Sequence, residues 1–153
     1  MRRPLLLVDI GGVICIKGAF GADGSVEIGG ATRSLAPEID GKLHELAVHF
    51  ELAWASAWGA DADSKLGPAL GLPPIDQVNL EVGGAFDENY KLSGVREYVG
   101  VRPAAWVDDV LGADCHQWAT SRKQPTALIE TDPDVGLTWD QVDELISFAA
   151  RVS

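Results

Sequence analysis

The chain has 153 residues, 46% of them apolar and 23% charged, which fits one globular domain long enough to bury its own core. Its 23 acidic residues against 12 basic ones leave a formal charge of −11, a surface that repels nucleic acid and anionic membrane and argues against both as partners. An anionic ligand would have to be met by a local cation: a metal, a lysine or a helix N-terminus.

The chain begins "MRRPLLLV", which imitates a secretion signal, but Asp9 breaks the short apolar run. A buried first strand over residues 4–9 is the better reading. No stretch approaches the ~18 apolar residues that span a bilayer. The run is continuous rather than alternating, as in a strand covered on both faces. Gly11 and Gly12 follow it. Residues 13–30 place "VICIKG" and "SVEIGG" around the turn signal "GADGS", predicting a hairpin. Pro37 opens a helix predicted over 37–48, with Glu38 in its first turn. "FELAWAS", 50–56, is the next buried strand and ends at Ser56. "DADSKLGPALGL" reads as a short helix interrupted at Gly67-Pro68, and "LPPIDQVNL" as a loop leading into a short extended piece.

"KLSGVREYV", 91–99, predicts a helix that Lys91 starts. "PAAWVDDVL" carries a strand over 104–107 that ends at Asp108. "DCHQWATSR" predicts a short helix and "TALIETD" a strand over 126–131. The clearest helix is "LTWDQVDELISFAARV", where Thr138 and Gln141 form a capping box and Val142, Leu145, Ile146 and Ala149 an apolar stripe. Cys15 and Cys115 lie a hundred positions apart, which suits two reduced thiols in a cytosolic protein better than a disulfide framework or a zinc site.

Alternating strands and helices of this kind predict an α/β fold, a central parallel sheet with helices on both faces, formed by residues 1–153 as one domain. In such sheets ligands bind beyond the C-terminal strand ends. The first strand delivers Asp9 there, the second Ser56, and the third Asp108 and Asp109. Lys91 starts the helix that precedes the third. Carboxylates at two strand ends repel each other unless a cation sits between them, and hard oxygen ligands favour magnesium.

In that order, "LLLVDIGG", "LAWAS", Lys91 and "AWVDD" resemble the four motifs of the haloacid dehalogenase-like hydrolase superfamily. The 17 positions from Lys91 to Asp108 suit that family, and the resemblance runs from residue 4 to about 112. "LIETDPDVGLT" and its helix resemble the usual final strand and helix. The resemblance implies a three-layer Rossmann-like sandwich with the 13–30 hairpin as a flap. Asp9 is then the nucleophile that forms an aspartyl-phosphate, Ser56 a donor to a phosphoryl oxygen, and Lys91 the neutraliser of developing charge. Magnesium is expected on Asp9, the Gly11 carbonyl, Asp108 and Asp109. Gly11, Gly12, Ser56 and Trp58 are the expected substrate contacts. A cytoplasmic, magnesium-dependent phosphatase or phosphoryl-transfer enzyme is implied, acting on a small phosphorylated molecule or a phosphorylated macromolecule.

About 20 residues separate the hairpin from the second strand and about 35 separate Ser56 from Lys91, which leaves no room for a cap domain. The site is then open, unless a second copy covers it in a homo-oligomer. One position departs from the family. Its phosphatases carry a second Asp two residues after the nucleophile, which protonates the leaving group and then activates water. Here Gly11 stands there, and loss of a general acid/base costs ~10²–10⁴-fold. That departure supports an alternative, a hydrolase-like protein that binds without turnover. A second alternative is an actin-like sugar kinase: Asp9, Gly11 and Gly12 match its D-x-G-G-T, but Val13 replaces the Thr and the chain is about half the needed length. Trp54, Trp58 and Trp106 are read as core, with Trp58 also placed to line the mouth of the site. His44 and His49 are weak catalytic candidates on or just after the first helix.

Overall fold

The computed structural model describes residues 2–18, 24–59, 61–81 and 89–152. In chain order the elements are β1 (Leu5–Val8), β2 (Cys15–Ile16), β3 (Ser25–Ile28), β4 (Ala31–Leu35), α1 (Ile39–His49) and β5 (Glu51–Trp54). A π-helical turn, Ala62–Leu66, runs into α2 (Gly67–Leu70). Then follow β6 (Asp76–Gln77), α3 (Leu92–Val99), β7 (Ala104–Asp108), α4 (Ala113–Ser121), β8 (Thr126–Glu130) and α5 (Trp139–Val152).

Five strands form one parallel sheet in the order β6-β5-β1-β7-β8, with helices on both faces: an α/β, Rossmann-like architecture. The apolar run of β1 is unbroken because both of its faces are covered. Leu6 and Val8 join the cluster built with α1 and α5, where the rings of Phe50 and Phe148 stack with centroids 6.4 Å apart. Leu5 and Leu7 join the opposite cluster, with Val95 and Val99 of α3 and Cys115 of α4. The α5 capping box is formed as the sequence predicts. The Thr138 N–H donates to Gln141 Oε1 at 3.0 Å, and the Gln141 N–H donates to Thr138 Oγ1 at 3.2 Å. Among the described residues no helix is long and apolar enough to cross a membrane.

The segment after β1 differs from the expected hairpin. β2 and β3 do not pair with each other; both run antiparallel to β4, which lies between them. The tight turn is Gly29-Gly30, with φ of 62° and 76°. Two adjacent positive-φ positions give the primed turn that matches strand twist. The "GADGS" turn lies largely outside the described residues. Two smaller boundaries also move. α1 starts at Ile39, because Glu38 adopts φ 53° and the buried Lys42 ammonium takes the Pro37 carbonyl at 2.7 Å. Gly67-Pro68 does not interrupt its helix. Pro68 falls where the π-helical turn gives way to α2, and the helical path continues through it.

α3 packs close to the chain beyond β6. A Cβ added at Gly94 would lie 2.2 Å from the Asn79 carbonyl oxygen. Gly94→Ala is therefore expected to destabilise at the upper end of the ~1–3 kcal/mol typical of overpacking. A shift of the urea midpoint checks it; an unchanged midpoint would show that this contact is easily relaxed.

Candidate active site

Strand register brings the predicted residues together. Leu7 lies opposite Trp106 and Val8 opposite Val107, so Asp9, one step further, is level with Asp108. Val8 opposite Trp54 puts Ala55 level with Asp9. The Asp9 N–H continues the ladder to Val107 O at 3.0 Å, and the Ala55 N–H to Val8 O at 2.9 Å. Alternation along each strand sends Asp9 to the face of Leu5 and Leu7, and Asp108 to the face of Trp106, the side on which α3 packs. The chain fills the sheet first on one side of β1 and then on the other. The topological switch, where parallel sheets bind ligands, thus falls between β1 and β7.

Lys91, immediately before α3, projects into this gap. Its Nζ lies 2.8 Å from Asp9 Oδ1, 2.8 Å from Asp108 Oδ2 and 2.8 Å from the Ala55 carbonyl oxygen. All three of its partners are thus acceptors, which fixes a cation there. Lys91, Asp9 and Asp108 are only 6%, 7% and 2% exposed. Asp108 Oδ1 also accepts the Val110 N–H at 3.1 Å, and Ser56 Oγ accepts the Trp58 N–H at 3.2 Å. The Ser56 hydroxyl proton is left to point elsewhere.

The electrostatics follow from burial. Desolvation pushes Asp9 up to about 8, the Lys91 ammonium opposes this, and the Asp108 charge adds to it. Burial pulls Lys91 down, but the two carboxylates it bonds more than offset that and hold it charged. Asp109 is also raised, first by desolvation and then by its contact with Asp108. Burial is the leading cause that pushes the Cys15 thiol up to about 11, and both cysteines are buried and outside any disulfide.

These groups line a cleft of about 310 Å³ together with Gly11, Trp58, Tyr90 and Val110. Gly12 does not reach it; a neighbouring cleft has Gly12 in its wall. Gly12 has φ 80°, and a Cβ there would lie 2.5 Å from Asp109 Oδ2. Only glycine lets the Asp109 carboxylate sit so close to the loop. The Gly12 carbonyl accepts the Thr131 hydroxyl at 2.8 Å, and the Thr131 N–H donates to Asp108 O at 3.0 Å. Thr131 therefore ties the end of β8 to the Asp9 loop. Asking what the last strand delivers to the sheet edge would have found it.

The tryptophans divide. Trp54 is core, its Nε1 3.4 Å from Asp63 Oδ1. Trp106 is buried against Trp118 yet forms part of the cleft wall, and among the described residues its indole N–H has no hydrogen-bond partner. Trp58 lines the cleft, as expected. His44 and His49 stand elsewhere, His44 Nε2 2.9 Å from Leu70 O and His49 3.8 Å from Glu45.

Asp9, Asp108 and Asp109 each offer an oxygen, and these atoms lie within 4.8 Å of one another. Three carboxylates face one ammonium, and two of the three are pushed upward. Such a set is short of positive charge, and its hard oxygens fit magnesium.

No family model matches the chain, and no curated protein matches it. Two solved structures similar to it are named as hydrolases. One is a Vibrio cholerae protein provisionally named 3-deoxy-D-manno-octulosonate 8-phosphate phosphatase, 14% identical, with 99% of this chain and 85% of that chain covered and a TM-score of 0.47. The other is a Legionella pneumophila protein provisionally named a hydrolase of the HAD superfamily, subfamily III A. It is 15% identical, with 98% of this chain and 83% of that chain covered and a TM-score of 0.44.

Proposed function

We propose that the chain is a magnesium-dependent phosphomonoester hydrolase, or a related phosphoryl-transfer enzyme, working through an aspartyl-phosphate on Asp9. The observation that carries this reading is the placement of Lys91 at 2.8 Å from both Asp9 and Asp108, at the switch point of a parallel sheet. An Asp9 oxygen attacks phosphorus and the bond to the leaving oxygen breaks. The Ser56 hydroxyl donates to a phosphoryl oxygen, and the charge of Lys91 offsets the negative charge that builds there. Water then cleaves the acyl phosphate, releasing phosphate and regenerating Asp9. Asp9, Asp108, Asp109 and the Gly11 carbonyl would hold the magnesium, which when bound supplies the positive charge that Lys91 alone does not. Position 11 has no side chain to give the leaving oxygen its proton. That proton comes from water. The substrate is a small phosphorylated molecule, or a phosphorylated macromolecule whose phosphate reaches into the cleft, and a reducing cytoplasm suits two cysteines outside any disulfide.

Asp9→Asn is expected to abolish magnesium-dependent release of phosphate from p-nitrophenyl phosphate, a loss of at least ~10³-fold given removal of the nucleophile. Activity that survives in Asp9→Asn would place the chemistry elsewhere. Gly11 favours one second reading, a domain that binds a phosphoryl group without turnover. It is distinguished by tight ligand binding with no phosphate release from wild-type protein.

A further inference from the structure

The nucleophile cleft does not end at Gly11. A second cleft of about 420 Å³ shares Gly11, Trp58 and Asp109 with it and continues under the small antiparallel sheet. Its far wall is Lys17, Thr32, Arg33 and Ser34. Arg33 is not a loose surface arginine. Its guanidinium lies 4.6 Å over the Trp58 ring, and its Nε donates to Ile28 O at 3.1 Å. The Gly29 turn fits against Trp58, where a Cβ would meet the indole nitrogen at 3.2 Å. The guanidinium is therefore held in place, and among the described residues its remaining N–H groups have no hydrogen-bond acceptor. Among the described residues neither Arg33 nor Lys17 pairs with a carboxylate. The chain carries 23 acidic and 12 basic residues, so two unpaired cations on one cleft wall is an uncommon arrangement for it. Among the described residues Asp109 is the one acid of this cleft, and its carboxyl group is engaged by those of Asp108 and Asp9.

The two clefts meet at Gly11, Trp58 and Asp109, so a group attached to a phosphate at Asp9 can extend into the second cleft toward Arg33. We infer that the substrate is a phosphomonoester whose leaving group carries a negative charge of its own, bound by Arg33 with Lys17 beside it. This rests on the phosphomonoester reading above.

The test compares two ligands that differ in one group, 6-phosphogluconate and glucitol 6-phosphate, by calorimetry with magnesium on Asp9→Asn protein, so that turnover plays no part. The carboxylate is expected to tighten binding about 10-fold or more, as a charge-assisted hydrogen bond does. Arg33→Gln, placed on the same background, should remove most of that preference and change the affinity for glucitol 6-phosphate by less than about twofold. Equal binding of the two ligands overturns the inference and leaves the phosphomonoester reading standing. So does an Arg33→Gln variant that weakens both ligands alike, which makes Arg33 a structural prop of Trp58. Failure of both ligands to bind overturns the inference, and overturns the parent reading as well if wild-type protein releases no phosphate from p-nitrophenyl phosphate.

Discussion

Gly11→Asp is expected to raise turnover of alkyl phosphomonoesters by about 10²–10⁴-fold, the usual worth of a positioned general acid/base. The fold permits the change. Gly11 has no positive φ, and a Cβ there would meet only the Trp58 ring, at 3.7 and 4.0 Å, which is ordinary contact. Nothing about the backbone demands a glycine, in contrast to Gly12. The gain should depend on the leaving group. An alkoxide needs a proton as it departs and nitrophenolate does not, so p-nitrophenyl phosphate should gain much less in its first step. Gly11→Asn is the matched control, of the same size and unable to exchange a proton. Equal activities for the Asp and Asn variants on an alkyl phosphate would mean that position 11 is not where the leaving group passes. A wild-type protein that is already as fast as the Asp variant would mean that another group does this work.

Lys91→Met should be the most damaging single change to stability. It leaves Asp9, Asp108 and Asp109 facing one another with no ammonium between them, and an uncompensated buried charge costs about 3–5 kcal/mol. For a chain of this size that is roughly a 10 °C fall in melting temperature. The measurement is a thermal melt in chelator and again in excess magnesium. A divalent ion on the same carboxylates should recover part of the loss, and should stabilise Lys91→Met more than wild type. Adding Asp9→Asn to Lys91→Met should also recover part, because one of the stranded carboxylates is gone, and the two changes then couple rather than add. A melt of Lys91→Met in chelator that matches wild type would show that the cluster has another counter-charge.

Much of this site could be read from the sequence for one physical reason. A strand buried on both faces is a continuous apolar run, so the first polar residue after it marks the sheet edge, and Asp9, Ser56 and Asp108 announce themselves that way. Lys91 was harder. It sits in no apolar pattern, and only its order and spacing among the other motifs singled it out. Arg33 and β4 were not legible at all. "ATRSL" is short and polar, its side chains are mostly exposed or half-exposed, and it pairs on both edges, with β2 and β3, where the sequence pattern suggested only a hairpin of the two segments before it. β6 has only two residues, too few for any period to show. Asp109 was named beside Asp108 without a reason for its inward turn. That reason is Gly12, whose missing Cβ makes the space.

β1 is made first and ends up in the middle. Its two neighbours are residues 51–54 and 104–108, so the centre of the sheet cannot close until more than two-thirds of the chain is available. Until then Asp9 has neither Asp108 beside it nor Lys91 across from it, and no charge cluster exists. Contacts of such sequence separation form slowly, because the loop between them must be ordered first. Ligand binding at this edge therefore reports on completed folding. A chain truncated before β7 has no partial site to lend, and any magnesium or phosphate it binds is bound for other reasons.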